Sequence, residues 1–320
     1  MAGTLATFES ARPRLTGLAY RLLGSWAEAE DVVQEAWPKW SAAADPDPAG
    51  AGIDNPDAFL TTMVTRLALT ALDSARVRRE QYVGPWLPEP VDTRADPALG
   101  AERAEALDLA TLLLLERLSG PERAAVVLRE AFAYDYPALA EVLGTSEAAA
   151  RQLVSRGRRA LEGHRRQRVD DTERARLLGA FVAAAQGGDL AALEAVLVPD
   201  AVAISDGGGI ASAARRPVHG ADNVARFVLG VLEKFGQGVR SIPVEANGQL
   251  AFLAVADTPG GTGAGTNGAV EPIALWSLDI GAEGVRAVHI VRTPLKLARF
   301  TATALTPIAP SQDDAAAGQP

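Results

Sequence analysis

The sequence predicts a multidomain chain, two all-α domains followed by an α+β cone, and three observations carry that reading. Residues 27–40 and 55–79 repeat apolar residues at helical spacing, with their charges segregated to other faces. Residues 135–161 combine capping residues, a glycine turn and a basic second helix in the manner of a helix-turn-helix. From Asp170 onward, two short helical patterns give way to runs of alternating apolar residues broken by turn signals. With 320 residues, the chain can support two or three domains with cores of their own.

The first helical domain is expected over residues 1–81. In AEAEDVVQEAWPKW, from Ala27 to Trp40, Val32, Val33, Ala36 and Trp37 make the apolar side. Glu30, Asp31, Gln34 and Glu35 make an acidic, amide-rich ridge, which repels phosphate and suits a basic protein partner. Pro38 removes a backbone donor, so this helix is expected to kink or stop near Trp37. The loop Asp45–Asn55 carries three Asp and no basic residue, which leaves it nothing with which to hold a nucleic-acid strand. Asn55-Pro56 then opens a helix with Phe59, Leu60, Val64, Leu67 and Leu72 toward the core. Its far end turns basic at Arg76, Arg78 and Arg79.

A linker follows over residues 82–100, where Pro85, Pro88, Pro90 and Pro97 favour an extended path. The second helical domain is expected over residues 101–168, and Ser119-Gly120-Pro121-Glu122 reads as a capping box within it. Asp135 and Pro137 start a short helix with Leu139, Val142 and Leu143 on one face. Gly144-Thr145-Ser146 makes the turn, and Ser146 caps the next helix. There, Ala149, Leu153 and Ala160 are expected inward, leaving Arg151, Gln152, Ser155, Arg156, Arg158 and Arg159 outward. In a major groove, Arg and Gln read base edges while further Arg neutralise phosphates. Between Arg151 and Arg168, seven Arg face a single acid, Glu162. The bland reading of the same segment is an ordinary helical hairpin with a solvated basic face.

Residues 170–300 carry the cone. Helices are expected at Asp170–Gln186, through Leu177, Leu178, Phe181 and Val182, and at Asp189–Leu197. AVAIS reads as a strand, followed by the turn DGGG at Asp206–Gly209. A helix over Ala221–Phe235 points Val224, Phe227, Val228, Val231 and Leu232 inward. Four strands follow at Val239–Ala246, Gln249–Ala256, Val270–Ile280 and Val285–Arg292, the first two joined by an Asn247-Gly248 hairpin turn, to make a curved antiparallel sheet. The glycine-rich loop Thr258–Gly268 is expected to be mobile, and residues 301–320 a disordered tail.

Catalysis is not expected. Asp206, Trp276, His289 and Arg292 are the candidates, but Asp206 before three glycines is a turn former, and His289 alternates along an apolar strand as a wall residue does. Gly207–Gly209 lacks the Lys and the strand-to-helix context of a phosphate-binding loop. The chain has no Cys, so neither a disulfide framework nor a thiolate metal site is available, and neither metal nor cofactor is expected. No signal peptide or bilayer-length apolar run is recognisable, so a cytoplasmic location without a membrane partner is expected. The net charge is −9, with −4 over residues 1–168 and −5 over the rest. DNA affinity therefore has to come from local arginine clusters and is weak unaided.

An acidic helix, a basic-ended helix, a linker and then a helix-turn-helix describe, in that order, a sigma factor. Residues 1 to about 165 resemble a sigma-70 family factor of the extracytoplasmic-function (ECF) group. AYRLLGSWAEAEDVVQEAW resembles the part of sigma region 2 that grips the coiled coil of the polymerase β′ subunit. NPDAFLTTMVTRLALTALDSARVRR resembles the part that opens and reads the minus-10 element. LSGPERAAVVLREAFAYDYPALAEVLGTSEAAARQLVSRGRRAL resembles region 4, which reads the minus-35 element. The linker motif YVGPWLPEP at Tyr82–Pro90, with DGGG and with TPLKL at Thr293–Leu297, is similar to the SigJ-like subfamily, which carries a fused SnoaL-like C-terminal domain of NTF2 fold. TPLKL lacks the Asn that opens the corresponding motif.

The resemblance implies core RNA polymerase (β′ coiled coil and β flap) and promoter DNA as partners. It places Glu30, Asp31, Gln34 and Glu35 on core polymerase, and Arg66, Arg76, Arg78 and Arg79 at the minus-10 element. Arg151, Gln152, Ser155, Arg156, Arg158 and Arg159 fall at the minus-35 element. Trp86, Leu87, Pro88, Asp206, Gly207, Gly208, Gly209 and Lys296 become candidate contacts for regulation in cis, and the cone a candidate small-molecule site. Two other classes fit parts of the sequence. One is a ligand-sensing helix-turn-helix regulator acting without polymerase, against which the ridge Glu30–Glu35 speaks. The other is an enzyme beside a vestigial regulatory half.

Overall fold

The computed structural model describes residues 2–44, 53–93, 109–162, 169–257, 270–298 and 300. The expectations for residues 45–52, for the glycine-rich loop 258–268 and for the tail 301–320 lie outside the described residues.

Helices α1 (Ala2–Leu23), α2 (Trp26–Ala44) and α3 (Pro56–Glu80) bury Leu15, Leu18, Leu22, Val33, Leu60 and Val64 between them. Asn55 caps α3 by accepting the Ala58 N–H at 3.0 Å. α2 does not stop near Trp37 as the sequence predicts; it runs through Pro38 to Ala44. The tryptophans on either side explain this. Trp37 meets Phe8 edge-on at 5.1 Å, and buried Trp40 donates its indole N–H to the Thr4 carbonyl at 3.0 Å. Burying Trp40 alone is worth roughly 4 kcal/mol at ~25 cal/mol per Å², more than the ~3 kcal/mol that an internal proline costs. Phe59 is a second departure: it stands in the first turn of α3 at the bundle edge, exposed, with its ring 6.0 Å from that of Trp40.

The second helical domain contains α4 (Leu109–Leu115), α5 (Gly120–Glu130), α6 (Tyr136–Leu143) and α7 (Glu147–Leu161). The expected capping box forms, with the Glu122 carboxylate accepting from the Ser119 N–H at 3.2 Å and from its hydroxyl at 2.7 Å. α7 buries Ala150, Val154 and Gly157 rather than Ala149, Leu153 and Ala160. Gly157 sets this face, because without a side chain it lets α7 close on α5; a Cβ there would lie 2.5 Å from Val126 Cγ2.

The C-terminal domain runs α8 (Asp171–Gly187), α9 (Leu190–Ala195), β1 (Leu197–Asp206), β2 (Val218–His219), α10 (Ala221–Phe235), β3 (Val239–Ala246), β4 (Gln249–Asp257), β5 (Val270–Gly281), β6 (Gly284–Val291) and α11 (Pro294–Leu297). The strands order as β2-β1-β6-β5-β4-β3. β1 pairs with β6 in parallel, so the sheet is mixed and not antiparallel throughout. The long excursion through α10 and β3–β5 supplies the crossover that a parallel pair requires. β2 has two residues, too few for an alternation signal. Asn247 and Gly248 make the β3–β4 turn with φ of 56° and 71°. α10 buries Val224, Ala225 and Val228, while Leu232 in its last turn is exposed and not inward.

The sheet is covered on both faces. One packs against α8 and α10 through Phe181, Val224, Val228, Leu278 and Ile290, completing the α+β cone of the NTF2/SnoaL-like fold. The other, with Val244, Leu253, Leu275 and Val291, receives Leu87 from the linker together with Leu297 and Phe300. The two helical domains also share one continuous core, from Leu15 and Val33 to Val126 and Val154.

Gly157→Ala is expected to destabilise the chain by about 1–3 kcal/mol through overpacking against Val126. A lower urea midpoint at unchanged slope is the measurement that checks it.

Candidate functional site

α6 and α7 form the helix-turn-helix. Asp135 caps α6 by accepting the Ala138 N–H at 2.9 Å, and the helix ends on Gly144 in the left-handed region, φ 63°. Ser146 caps α7 by accepting the Ala149 N–H at 3.2 Å. Arg151, Gln152, Ser155, Arg156, Arg158 and Arg159 are all exposed on α7. Arg151 lies between the Glu147 carboxylate one turn earlier and the Tyr136 ring, whose centroid is 4.2 Å from the guanidinium carbon. Arg156 reaches Glu122 at 3.0 Å and Arg158 reaches Glu130 at 2.5 Å, both on α5. Such exposed pairs are worth ~0–1 kcal/mol, so a phosphate can displace them.

On α2, Glu30, Asp31, Gln34 and Glu35 are exposed, and the first three line a cleft of about 470 Å³ with Arg12, Thr16 and Trp26. The arginines of α3 are differently placed. Arg76 is exposed, but Arg78 pairs with Glu28, and Arg79 pairs with Glu116 and donates to the Leu23 carbonyl. Arg66 donates to the carbonyls of Glu141 and Val142, at 3.2 and 3.3 Å, in the helix-turn-helix.

Asp206, at the end of β1, has no exposed surface. Its Oδ1 accepts from the Tyr82 hydroxyl at 2.6 Å, the Thr293 hydroxyl at 2.9 Å and the Gly208 N–H at 3.0 Å. Its Oδ2 accepts from the Leu87 N–H at 2.9 Å and from the Lys296 ammonium at 2.7 Å. Lys296 also donates to the Leu87 carbonyl and lies 4.4 Å from the centroid of the Trp86 ring, over which Arg79 of α3 stacks at 3.7 Å. Linker, DGGG turn and TPLKL turn therefore meet at one carboxylate. Burial pulls the Lys296 ammonium below the usual lysine range, opposed by Asp206. Burial, and then the hydrogen bond to Asp206, hold the Tyr82 phenol above the usual tyrosine range. Gly208 and Gly209 both have positive φ, and a Cβ on Gly209 would lie 3.1 Å from Val83. Gly207 is buried against Ala211, and Pro88 is buried between Leu87 and Glu89.

The linker also grips the first helical domain. The Glu89 carboxylate, 5 % exposed, caps α2 by accepting from the N–H groups of Trp26 and Ala27 at 2.9 and 3.2 Å and from the Ser25 hydroxyl at 3.1 Å. The Tyr20 hydroxyl donates to the Glu89 carbonyl at 2.6 Å and accepts from Asn247 Nδ2 at 2.7 Å, and Asn247 in turn accepts from the Val91 N–H at 3.1 Å.

Comparison with known proteins decides the family. Sigma-70 region 2 matches residues 7–78, and sigma-70 region 4 matches residues 108–161. The ECF RNA polymerase sigma factor SigJ of Mycobacterium tuberculosis is 44% identical over 240 residues, 73% of this chain and 75% of that protein. The chain belongs to the ECF RNA polymerase sigma factor family. A probable ECF sigma factor of the same organism, SigI, is 34% identical over 61% of this chain and 67% of its own length. The crystal structure of the M. tuberculosis ECF sigma factor SigJ superposes with a TM-score of 0.71 at 36% identity, covering 92% of this chain and 98% of that one.

This ECF factor is thus an alternative sigma factor that directs RNA polymerase to promoter DNA. Its family is one of transcription initiation factors, not enzymes. Of the four residues weighed for catalysis, Asp206 is occupied by the linker, His289 is buried opposite Ser277 in the sheet, Trp276 belongs to the helix-facing core, and Arg292, whose N–H binds the Asp206 carbonyl at 2.7 Å, reaches with its side chain to Ser212 and Phe235. No helix among the described residues is long and apolar enough to cross a membrane. Sequence reasoning named neither Tyr82 nor Asn247 as a junction residue, and it reached Glu89 and Thr293 only as members of the WLPEP and TPLKL motifs.

Asp206→Asn is expected to cost about 3–5 kcal/mol of stability because it strands the Lys296 charge, and adding Lys296→Met should restore part of that loss. Urea denaturation of both variants checks it. Because Tyr82 holds its proton more tightly folded than unfolded, its contribution is intact below pH ~10 and is lost as pH rises through its folded pKa. Lys296, with a lowered pKa, gives the opposite slope. Tyr82→Phe is therefore expected to flatten the alkaline loss relative to the parent, which retains the same lysine; denaturation midpoints from about pH 8 to about pH 11.5, bracketing unperturbed Tyr and Lys at ~10 and ~10.4, read the difference.

Proposed function

We propose that this sigma factor reads the minus-35 element with α7, engages the minus-10 element with the arginines of α3, and grips the polymerase β′ coiled coil through the α2 ridge. Residues 101–168 would face the β flap, and the cone, residues 170–300, modulates residues 1–168 in cis through the linker at 82–100. The observation that carries the regulatory part is the buried Asp206, which joins linker and cone with hydrogen bonds to both Tyr82 and Leu87. A short tether gives a millimolar effective concentration, on the order of 10⁻³ M, so even a weak domain contact stays occupied. No small molecule is needed for this coupling, and a regulator acting without polymerase is not favoured by the relatives or by the exposed acidic ridge.

Run-off transcription with core polymerase tests the modulation. Asp206→Asn, if folded by circular dichroism, is expected to change promoter output relative to the parent, whereas equal transcripts at every promoter and concentration would remove the regulatory role. Arg151→Ala and Arg156→Ala are expected to cost roughly 1–3 kcal/mol each in minus-35 recognition and relax specificity at single positions. Reversing charge at Asp31 and Glu35 is expected to weaken core binding by roughly 1–3 kcal/mol, measured by competition for core polymerase.

A further inference from the structure

Among the arginines that α7 turns outward, Arg151 is held differently from its neighbours. Arg156 and Arg158 are tied to Glu122 and Glu130 of α5 through the edges of their guanidinium groups, and those edges carry every donor an arginine has. Arg151 pairs with Glu147 one turn earlier, but its guanidinium also lies over the Tyr136 ring, 4.2 Å from guanidinium carbon to centroid. A guanidinium over a ring is attracted through the ring's quadrupole and need spend no donor on it. Tyr136 is the first residue of α6, next to the Asp135 cap, and packs half-buried against the helical core. A second guanidinium, from Arg129 of α5, lies over the same ring at 4.8 Å and donates to the Tyr134 carbonyl at 2.6 Å. The turn that brings these two tyrosines back to α5 uses a left-handed Ala133, φ 56°, a conformation that a residue with a Cβ seldom adopts. Tyr134 closes the turn by donating its N–H to the Leu128 carbonyl at 3.1 Å.

An exposed arginine samples many rotamers and loses that freedom when it reads a base edge through two parallel hydrogen bonds. A contact that directs the side chain beforehand, and leaves its donors free, lowers that cost. Glu147 cannot supply this alone, because its carboxylate occupies an edge of the guanidinium that a base would need. We infer that Tyr136 is a positioning residue for minus-35 recognition: its ring orients Arg151 before DNA arrives, and Arg129 and the Ala133 turn hold the ring. The inference rests on the proposed reading of the minus-35 element by α7, and it adds to that reading a residue of the preceding helix that touches no base. A line of contacts thus runs from the end of α5 through the start of α6 to one side chain of α7.

Selection of duplexes with a randomised minus-35 segment, by holoenzyme assembled from the full-length factor and core polymerase, reads base preference position by position. Arg151→Ala is expected to abolish the preference at one position and spare the others. Tyr136→Leu, which keeps apolar bulk without a π face, is expected to lower preference at that same position about two- to fivefold, the worth of an exposed cation–π contact. Tyr136→Phe is expected to keep the parental preference, because the ring and not the hydroxyl orients the arginine. Arg129→Gln, which leaves Tyr136 in place and loosens its ring, is expected to lower the same preference in the same direction. On an Arg151→Ala background, Tyr136→Leu is expected to add no further loss there. If neither Tyr136→Leu nor Arg129→Gln lowers that preference, or if both weaken all positions alike, the positioning role is overturned while the reading by Arg151 stands. Arg151→Ala with every preference intact removes that reading, and the inference with it.

Discussion

A carboxylate without exposed surface persists only when its lone pairs are used, and in this chain the donors that use them come from three separate segments. Asp206 collects the linker through Tyr82 and Leu87, its own turn through Gly208, and the 293–297 turn through Thr293 and Lys296. The energetic logic is asymmetric: each bond contributes modestly, but removing one group leaves buried polarity unpaired at about 1–3 kcal/mol. The junction is therefore close to all-or-none. Leu87 shows why, since its N–H binds Asp206, its carbonyl accepts from Lys296, and its side chain is buried against Val244, Leu253 and Leu275. A single linker residue is held by both polar groups and by its apolar surface.

From that point the constraint spreads in both directions. Two residues on, Glu89 supplies the N-cap of α2, so the helix bearing the acidic ridge begins on a residue of the linker. Further on, Val91 exchanges hydrogen bonds with Asn247, donating its N–H to the side chain and accepting from the backbone N–H at 2.8 Å, which ties the linker to the β3–β4 hairpin. Tyr20 of α1 joins both, touching Glu89 and Asn247 with one hydroxyl. A segment whose prolines remove donors and favour extension thus becomes a layer shared by helical domain and sheet.

Much of this was legible in the sequence wherever the signal was local. The caps at Asn55, Asp135 and Ser146, the left-handed Gly144 and the Asn247-Gly248 turn all act within a few residues, and each stands where its residue type predicts. Signals that depend on a distant partner were not. Pro38 argued for a helix end until Trp40 found Thr4, and the inward face of α7 turned on Gly157 meeting Val126. Asp206 before three glycines has the local look of a turn former, and it does make the turn; its five donors are visible only once the linker and the 293–297 turn arrive. Asn247 hides in the same way, a turn residue by position and a buried bridge by contact. The arginines were recognisable as a type, but a sequence does not show that Arg66 spends its donors on a helix 75 residues away.

The unequal engagement of those arginines sets how readily each can be freed. On the proposed assignment, α7 holds its arginines in exposed pairs with Glu122, Glu130 and Glu147, which polyanionic DNA can displace at little cost. On α3, Arg66 and Arg79 instead bind backbone carbonyls, and Arg79 shares the half-buried Glu116 with Arg123. Carbonyls at a helix end are not outcompeted by raising the phosphate concentration alone, because freeing the arginine also strands the acceptors it leaves. Arg76 and the exposed Arg78–Glu28 pair, by contrast, stay as accessible as the arginines of α7. With a net charge of −9 opposing any general attraction to DNA, these local arginines carry what affinity the chain has for phosphate.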